Sequence, residues 1–269
     1  MSLREKCLLT CGFAFAAGWS DAICFARYGS FAALMTGNTI KAGIAAATKS
    51  EQRFENMVYY LCILICYIVG GVVFQAVKAR WPRRVGVLSA PVCLSLFILS
   101  EVLNQIVGNN KWQVCILAPT FGIQNSLTFG GGLQTNTTII TGNMQKLSLA
   151  LYQVLACKVT KANLVAIATP AAAVLSTFMA SIIGAVILMD VAKLNAAWLF
   201  VPAGLLQASM MVVHDKMFFQ WSTPAVDQRA LATDSSLQVA CEASGLKTED
   251  EGQRAEHTRP SYFLRCPAW

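Results

Sequence analysis

Long apolar stretches without charge alternate with short polar connections over most of this chain. Three of these stretches, residues 57–77, 162–189 and 194–213, contain no charged residue at all. Each is close to the length of about 20 residues that a helix needs to cross a hydrocarbon core. In lipid, a helix satisfies all its backbone groups internally, so such runs favour helices over open strands. The pattern predicts an all-α fold, a polytopic membrane helical bundle.

Six segments have the length and apolar character of full membrane spans. They are residues 7–25, 57–77, 85–107, 112–129, 165–189 and 194–213. Two further segments, 30–48 and 136–155, hold Gly, Thr, Asn and a Lys, and we expect each to be broken or re-entrant. Glu101, near the end of the third span, is expected at the membrane interface. His214 and Asp215 follow the last span, and we expect them in solvent.

Two polar cassettes with nearly the same residues lie 104 to 105 residues apart. The first consists of Gly18, Asp21, Phe25, Thr36-Gly37-Asn38 and Lys41. The second consists of Gly122, Asn125, Phe129, Thr141-Gly142-Asn143 and Lys146. Each copy holds three spans and one broken segment, and an odd number of spans inverts the second copy relative to the first. We therefore expect two inverted three-helix repeats, residues 1–110 and 111–219.

Basic residues predict how the bundle is oriented in the membrane. If segments 30–48 and 136–155 return to the side they entered, five basic residues lie outside and nine lie in the cytoplasm: Arg4, Lys6, Lys78, Arg80, Arg83, Arg84, Lys158, Lys161 and Lys216. If both segments span, six lie inside and eight outside. Cytoplasmic loops carry an excess of Lys and Arg, so the first arrangement is favoured. It predicts a multi-pass integral membrane protein with both termini in the cytoplasm.

The C-terminal composition and the catalytic and metal-binding motifs narrow the range of possible functions. Residues 220–269 are polar, with five basic and seven acidic residues, and we expect a disordered cytoplasmic tail. The ten cysteines form no Cys-x-x-Cys pair and only two histidines occur, so a zinc site is not indicated. No Ser/His/Asp set or phosphate loop is present. We expect no enzyme, no cofactor, no metal and no nucleic-acid partner.

The cassettes hold the candidate binding residues. A charged Asp within a span costs about 2.5–3.5 kcal/mol on insertion scales, so Asp21 should face the bundle interior and a polar partner. The Thr-Gly-Asn segments can break a helix, cap the exposed end and present N–H groups that attract anions. The predicted substrate-binding residues are Asp21, Thr36, Gly37, Asn38, Gln124, Asn125, Thr141, Gly142 and Asn143.

We expect Asp21, Asn38, Asn125 and Asn143 to converge within one cavity between the repeats. The alternative for Asp21 is a structural ion pair with Arg27 or Lys41. The alternative for the Thr-Gly-Asn segments is a role in close helix packing and interhelical hydrogen bonding.

The cassettes resemble those of a known family. Gly18-Trp-Ser-Asp21-Ala, Phe25, Thr36-Gly37-Asn38-Thr39 and Gly122-Ile-Gln124-Asn125-Ser126 are similar to the YoaK-like family of uncharacterised transmembrane proteins, over residues 8–213. The resemblance implies a polytopic membrane protein and brings no activity with it.

These observations favour a transporter or permease for a small polar or ionic solute, with a site near the membrane midplane at the repeat interface. The alternative is a non-transporting membrane scaffold or assembly protein in which the cassettes hold helices together. An intramembrane enzyme is a weaker third reading. The expected partners are the lipid bilayer and a small solute.

Overall fold

The structure is a computed structural model that describes residues 2–130, 133, 137–138, 140–155, 161–191 and 198–219. The described residues are all-α, as the sequence predicts. The helices are α1 (Leu3–Tyr28), α2 (Met35–Ala47), α3 (Arg53–Arg80), α4 (Val85–Val107), α5 (Val114–Gly130), α6 (Ile140–Leu155), α7 (Lys161–Val186) and α8 (Val201–Phe219). Turns of 3-10 helix at Pro82–Arg84 and Lys111–Gln113 precede α4 and α5, and a π-helical turn, Ile187–Val191, extends α7.

Four described segments are long and apolar enough to cross a membrane: Leu3–Tyr28, Arg53–Arg80, Pro82–Val107 and Ile167–Met189. The outer faces of α3 and α7 carry large apolar side chains, such as Ile68 at 63% and Phe178 at 62% exposure. Exposed apolar surface on this scale is typical of a face that contacts lipid. These features are consistent with an integral membrane protein.

Local sequence sets both ends of α1. Ser2 and Glu5 form a capping box, in which the Glu5 N–H donates to Ser2 Oγ and the Ser2 N–H donates to the Glu5 carboxylate. Gly29 ends the helix in the left-handed conformation, with φ of 64°, and its N–H donates to the Phe25 carbonyl at 2.9 Å. A residue without a Cβ adopts this conformation without strain.

The long helices of each half pack mainly on helices of the other half. α1 and α7 run parallel, since Ser176 Oγ donates to the Cys11 carbonyl and Ser181 Oγ donates to the Gly18 carbonyl. α3 and α5 also run parallel, because Gly70 contacts Pro119 and Lys78 Nζ donates to the Gly130 carbonyl at 3.2 Å. Each half of the bundle is therefore completed by the other.

Two cassette glycines lie where these helices cross. A Cβ on Gly18 would lie 2.5 Å from the Thr177 carbonyl oxygen of α7, and a Cβ on Gly122 would overlap the Tyr67 carbonyl oxygen of α3. Small residues allow helix backbones to approach this closely. Both glycines thus have a packing role that is independent of any ligand.

α4 and α8 run antiparallel, and each carries a buried acid that caps the start of the other. Glu101 accepts from the Phe200 N–H at 2.6 Å, just before α8, and Asp215 accepts from the Val87 N–H at 2.8 Å in the first turn of α4. Glu101 is fully buried, and His214 and Asp215 are each 3% exposed, so our expectation that His214 and Asp215 lie in solvent is wrong. A helix N-terminus supplies N–H donors and a positive end, which lets a carboxylate be buried.

The Glu101 cap also explains why α8 begins later in the chain than the predicted span. The last predicted span covered residues 194–213, whereas α8 begins at Val201 and continues to Phe219. Glu101 binds the chain at Phe200 and thereby fixes the start of the helix. Residues 192–197 and 220–269, including the expected polar tail, lie outside the described residues.

Candidate functional site

After α1 the chain turns back along the helix that it has just left. The Phe31 ring stacks on the Phe25 ring at 5.0 Å, and the Ala33 N–H donates to Asp21 Oδ1 at 2.8 Å. Asp21 lies seven residues before the end of α1, about 10 Å along the axis at 1.5 Å per residue. α2 then runs outward again, and Lys41 donates to the Gly29 carbonyl. Residues 29–34 thus run back along α1, and α2 runs in the opposite direction to them.

Asn38 fixes this turn from α2. Its Oδ1 accepts from the Phe31 N–H at 3.0 Å and its Nδ2 donates to the Phe31 carbonyl at 2.6 Å, with the side chain fully buried. Thr36 is exposed, and Gly37 lies against the Phe31 ring. Thr36-Gly37-Asn38 thus forms the first turn of α2, and the chain break lies before it, at residues 29–34, rather than at Gly37.

Replacing Asn38 by Ala is expected to lower the free energy of unfolding by about 1–2 kcal/mol, because both polar groups of Phe31 lose their partner. Denaturant titration of the purified protein in mixed micelles measures this loss. Thr36→Ala, in the same turn but exposed, serves as the control and should change stability by less than about 0.5 kcal/mol. Equal losses for both variants would contradict the role given to Asn38.

The Asp21 carboxylate binds the backbone immediately before α2. Its Oδ1 accepts from the Ala33 N–H at 2.8 Å. An N–H group of this kind attracts anions, so an anionic solute arriving here would meet the like charge of Asp21.

The second half places equivalent residues in a similar arrangement. Asn125 Oδ1 accepts from Thr138 Oγ1 at 3.1 Å, and Gln124 Nε2 donates to Thr137 Oγ1 at 3.1 Å and to the Phe13 carbonyl at 3.0 Å. Residue 138 follows Asn125 by 13 positions, and residue 33 follows Asp21 by 12. Residues 33 and 138 are thus each bonded to a residue in the C-terminal half of the preceding helix.

A cavity of about 210 Å³ lies where these two segments meet. It is lined by Ala17, Gly18, Asp21, Ala22 and Phe25 of α1, Phe31 and Leu34 before α2, Thr137, Thr138 and Ile140 around the start of α6, and Thr177 and Ser181 of α7. Both halves of the chain therefore contribute to one site.

The structure brings only part of the predicted set to this cavity. Asp21 lines it, and Gln124 and Asn125 contact it through the lining residues Thr137 and Thr138. Six predicted residues are not in the lining and belong to the first turns of α2 and α6: Thr36, Gly37, Asn38, Thr141, Gly142 and Asn143. Asn38 and Asn143 are buried, whereas Thr36, Thr141 and Gly142 are exposed.

Sequence reasoning missed the contribution of α7. Thr177 and Ser181 are four residues apart in an otherwise apolar stretch, which places both on one face of the helix. That spacing is the signal that would have identified them.

The cavity offers hydrogen-bond acceptors on largely apolar walls. Ser181 Oγ donates to the Thr177 and Gly18 carbonyls, and Thr177 Oγ1 donates to the Ala173 carbonyl. A hydroxyl oxygen that donates its proton can also accept a hydrogen bond from a ligand. Together with the Asp21 carboxylate, these atoms suit a solute that donates hydrogen bonds or carries positive charge.

The fold and this site define a helical protein of the membrane type with a largely apolar cavity, lined by Asp21, between its two halves. The sequence profile of the family described as protein of unknown function, DUF1275, matches residues 9–212, and the chain belongs to this family. No curated protein and no solved structure matches the chain.

Proposed function

We propose that the protein transports a small cationic or hydrogen-bond-donating solute across a membrane, with Asp21 at the binding site. The observation that carries this proposal is an acid in an apolar helix that lines a cavity built from both halves of the chain. Ionisable residues at such positions commonly mark solute or ion pathways. A cavity of about 150 Å³ is known to hold a benzene molecule, so this one suits a small organic solute.

Helix directions support an inverted repeat around that cavity. α1 is parallel to α7 and α3 to α5, while α8 is antiparallel to both α1 and α4. Because the short turn 81–84 reverses the chain, α3 and α4 run in opposite directions. α1 therefore runs in the opposite direction to α5, α3 to α7, and α4 to α8. This is the relation expected for repeats 1–110 and 111–219 about a two-fold axis in the membrane plane.

This arrangement implies six spans, with the chain termini and residues 78–84 in the cytoplasm. α5, at 17 residues, is about 26 Å long and can cross a thin or locally thinned core. Two further expectations from the sequence are kept in this proposal: the resemblance to the YoaK-like family, and the absence of enzymatic activity.

The orientation predicts how cysteines at the two ends of α3 react. Lys49 and Arg80 are both exposed and flank this helix. In a Cys-depleted background, Lys49→Cys should react with a membrane-impermeant maleimide added outside intact cells, and Arg80→Cys should react only after permeabilisation. Reaction of both from the same side would contradict the orientation.

A second candidate function, that of a scaffold or assembly protein, is favoured by one specific observation. Many polar atoms of the cassettes are already bonded within the chain, including both polar atoms of the Asn38 amide and Nε2 of Gln124. Under this reading the cassettes hold helices together and carry no solute.

Flux through the purified protein distinguishes the two functions. Proteoliposomes are assayed with a panel of radiolabelled small amines, inorganic cations, neutral polyols and carboxylates. We expect saturable uptake within the amine or cation group and none of the carboxylates. Correctly inserted protein without flux for any member would favour the scaffold.

A further inference from the structure

A second cavity, of about 360 Å³, lies between the C-terminal part of α2 and the N-terminal part of α3. It is lined by Lys41, Ile44, Ala45, Thr48, Ser50, Arg53, Asn56 and Tyr60. It shares only Lys41 with the surroundings of the first cavity, and the transport proposal makes no use of it.

The charged groups in its lining, Lys41 and Arg53, are both basic. Two acids lie two positions from Arg53 and outside the lining: Glu51 is exposed, and Glu55 forms an ion pair with Lys111 at 2.7 Å. Lys111 also donates to Asn56 Oδ1 at 3.0 Å, which holds this pair at the edge of the cavity. With Glu55 neutralised, the field of the cavity is positive and suits an anion.

The surface beside the cavity is apolar. Ile40 and Ile44 of α2 and Phe54 of α3 are 59%, 61% and 69% exposed. Arg53 is the first residue of a helix long and apolar enough to span a membrane. A cationic cavity at the end of a span, with exposed apolar side chains next to it, matches a phosphate headgroup and the acyl chains attached to it.

We propose that this cavity binds the headgroup of an anionic phospholipid. The Arg53 guanidinium and the Lys41 ammonium contact the phosphate, and the Ser50 hydroxyl and Asn56 amide contact the glycerol side of the headgroup. Acyl chains lie over Ile44 and Phe54. Arg is suited to the contact because its planar fork binds two phosphate oxygens together.

Lipid retention by the purified full-length protein tests this proposal. The protein in detergent is titrated with phosphatidylglycerol or with phosphatidylcholine, and bound lipid is counted by native mass spectrometry alongside thermal stability. We expect phosphatidylglycerol to bind at least about tenfold more tightly than phosphatidylcholine. Equal binding of the two lipids would overturn the proposal, whatever the variants do.

Arg53→Gln isolates the site, and Lys49→Gln is its matched control. Both residues are exposed and lie in the same α2–α3 region, but Lys49 does not line the cavity. Arg53→Gln should weaken phosphatidylglycerol binding about tenfold and Lys49→Gln should leave it nearly unchanged. Equal weakening would indicate diffuse surface charge and overturn the site. A stabilisation by inorganic phosphate alone that equals that of the lipid would overturn the lipid as ligand.

Discussion

Replacing Asp21 by Asn is expected to reduce solute flux by about 10- to 100-fold while the protein still inserts and folds. The substitution removes the charge of the cavity and leaves the side-chain shape. Hydrogen bonds to a charged group contribute about 1.5–3 kcal/mol, which corresponds to this range of rates. The second half already has Asn125 at the equivalent position, where its Oδ1 accepts a hydrogen bond. Asn at position 21 can likewise accept from the Ala33 N–H, so the turn before α2 should persist.

The flux measurement needs a stability measurement beside it. Thermal unfolding of Asp21→Asn should shift by no more than a few degrees, and Glu51→Gln, which removes an exposed acid outside the cavity, should change neither quantity. If Asp21→Asn left flux intact but lowered stability, Asp21 would be a structural residue.

Replacing Gly122 by Ala is expected to lower the free energy of unfolding by about 3 kcal/mol, at the upper end of the usual effect of overpacking. The added Cβ would overlap the Tyr67 carbonyl oxygen, and the backbone of α3 cannot yield as a flexible side chain does. To make room for this Cβ, α3 and α5 must move apart over the whole length of their contact. Denaturant titration in mixed micelles measures the loss, and the yield of monodisperse protein should fall with it.

Gly142→Ala is the matched control, since Gly142 belongs to the same cassette and a Cβ there meets no atom within 4 Å. Alanine favours a helix over glycine by about 1 kcal/mol, so this variant should be unchanged or slightly more stable. A similar loss in both variants would contradict the role given to the close crossing at Gly122.

The helices of this protein could be predicted from sequence, and its turns could not. Uncharged runs such as 57–77 predict a span because length and apolarity are local properties. The chain break was placed at Gly37, yet the structure has it at residues 29–34. There the Asn38 amide binds back to Phe31, a contact between residues seven positions apart that no periodic pattern records.

The helix-capping roles of Glu101 and Asp215 were also not predicted. Glu101 was expected at the membrane interface and Asp215 in solvent, because each stands near the end of an apolar run. Their actual partners are N–H groups about 100 and 128 residues away in the chain. For Asp21 we expected a polar partner because a charge within a span is costly, and the structure gives it the Ala33 N–H.

The crossing of the two halves has a consequence for how the chain is made. α1 leaves the ribosome early, yet Ser176, which donates to the Cys11 carbonyl, is 165 residues further along, and Leu199, which accepts from Trp19, is 180 residues further. During synthesis, the face of α1 that packs on α7 and α8 therefore stays uncovered until those helices have been made. A half-chain ending at residue 110 would lack both α5 and α7. The bundle is thus completed only after the second half of the chain has been synthesised.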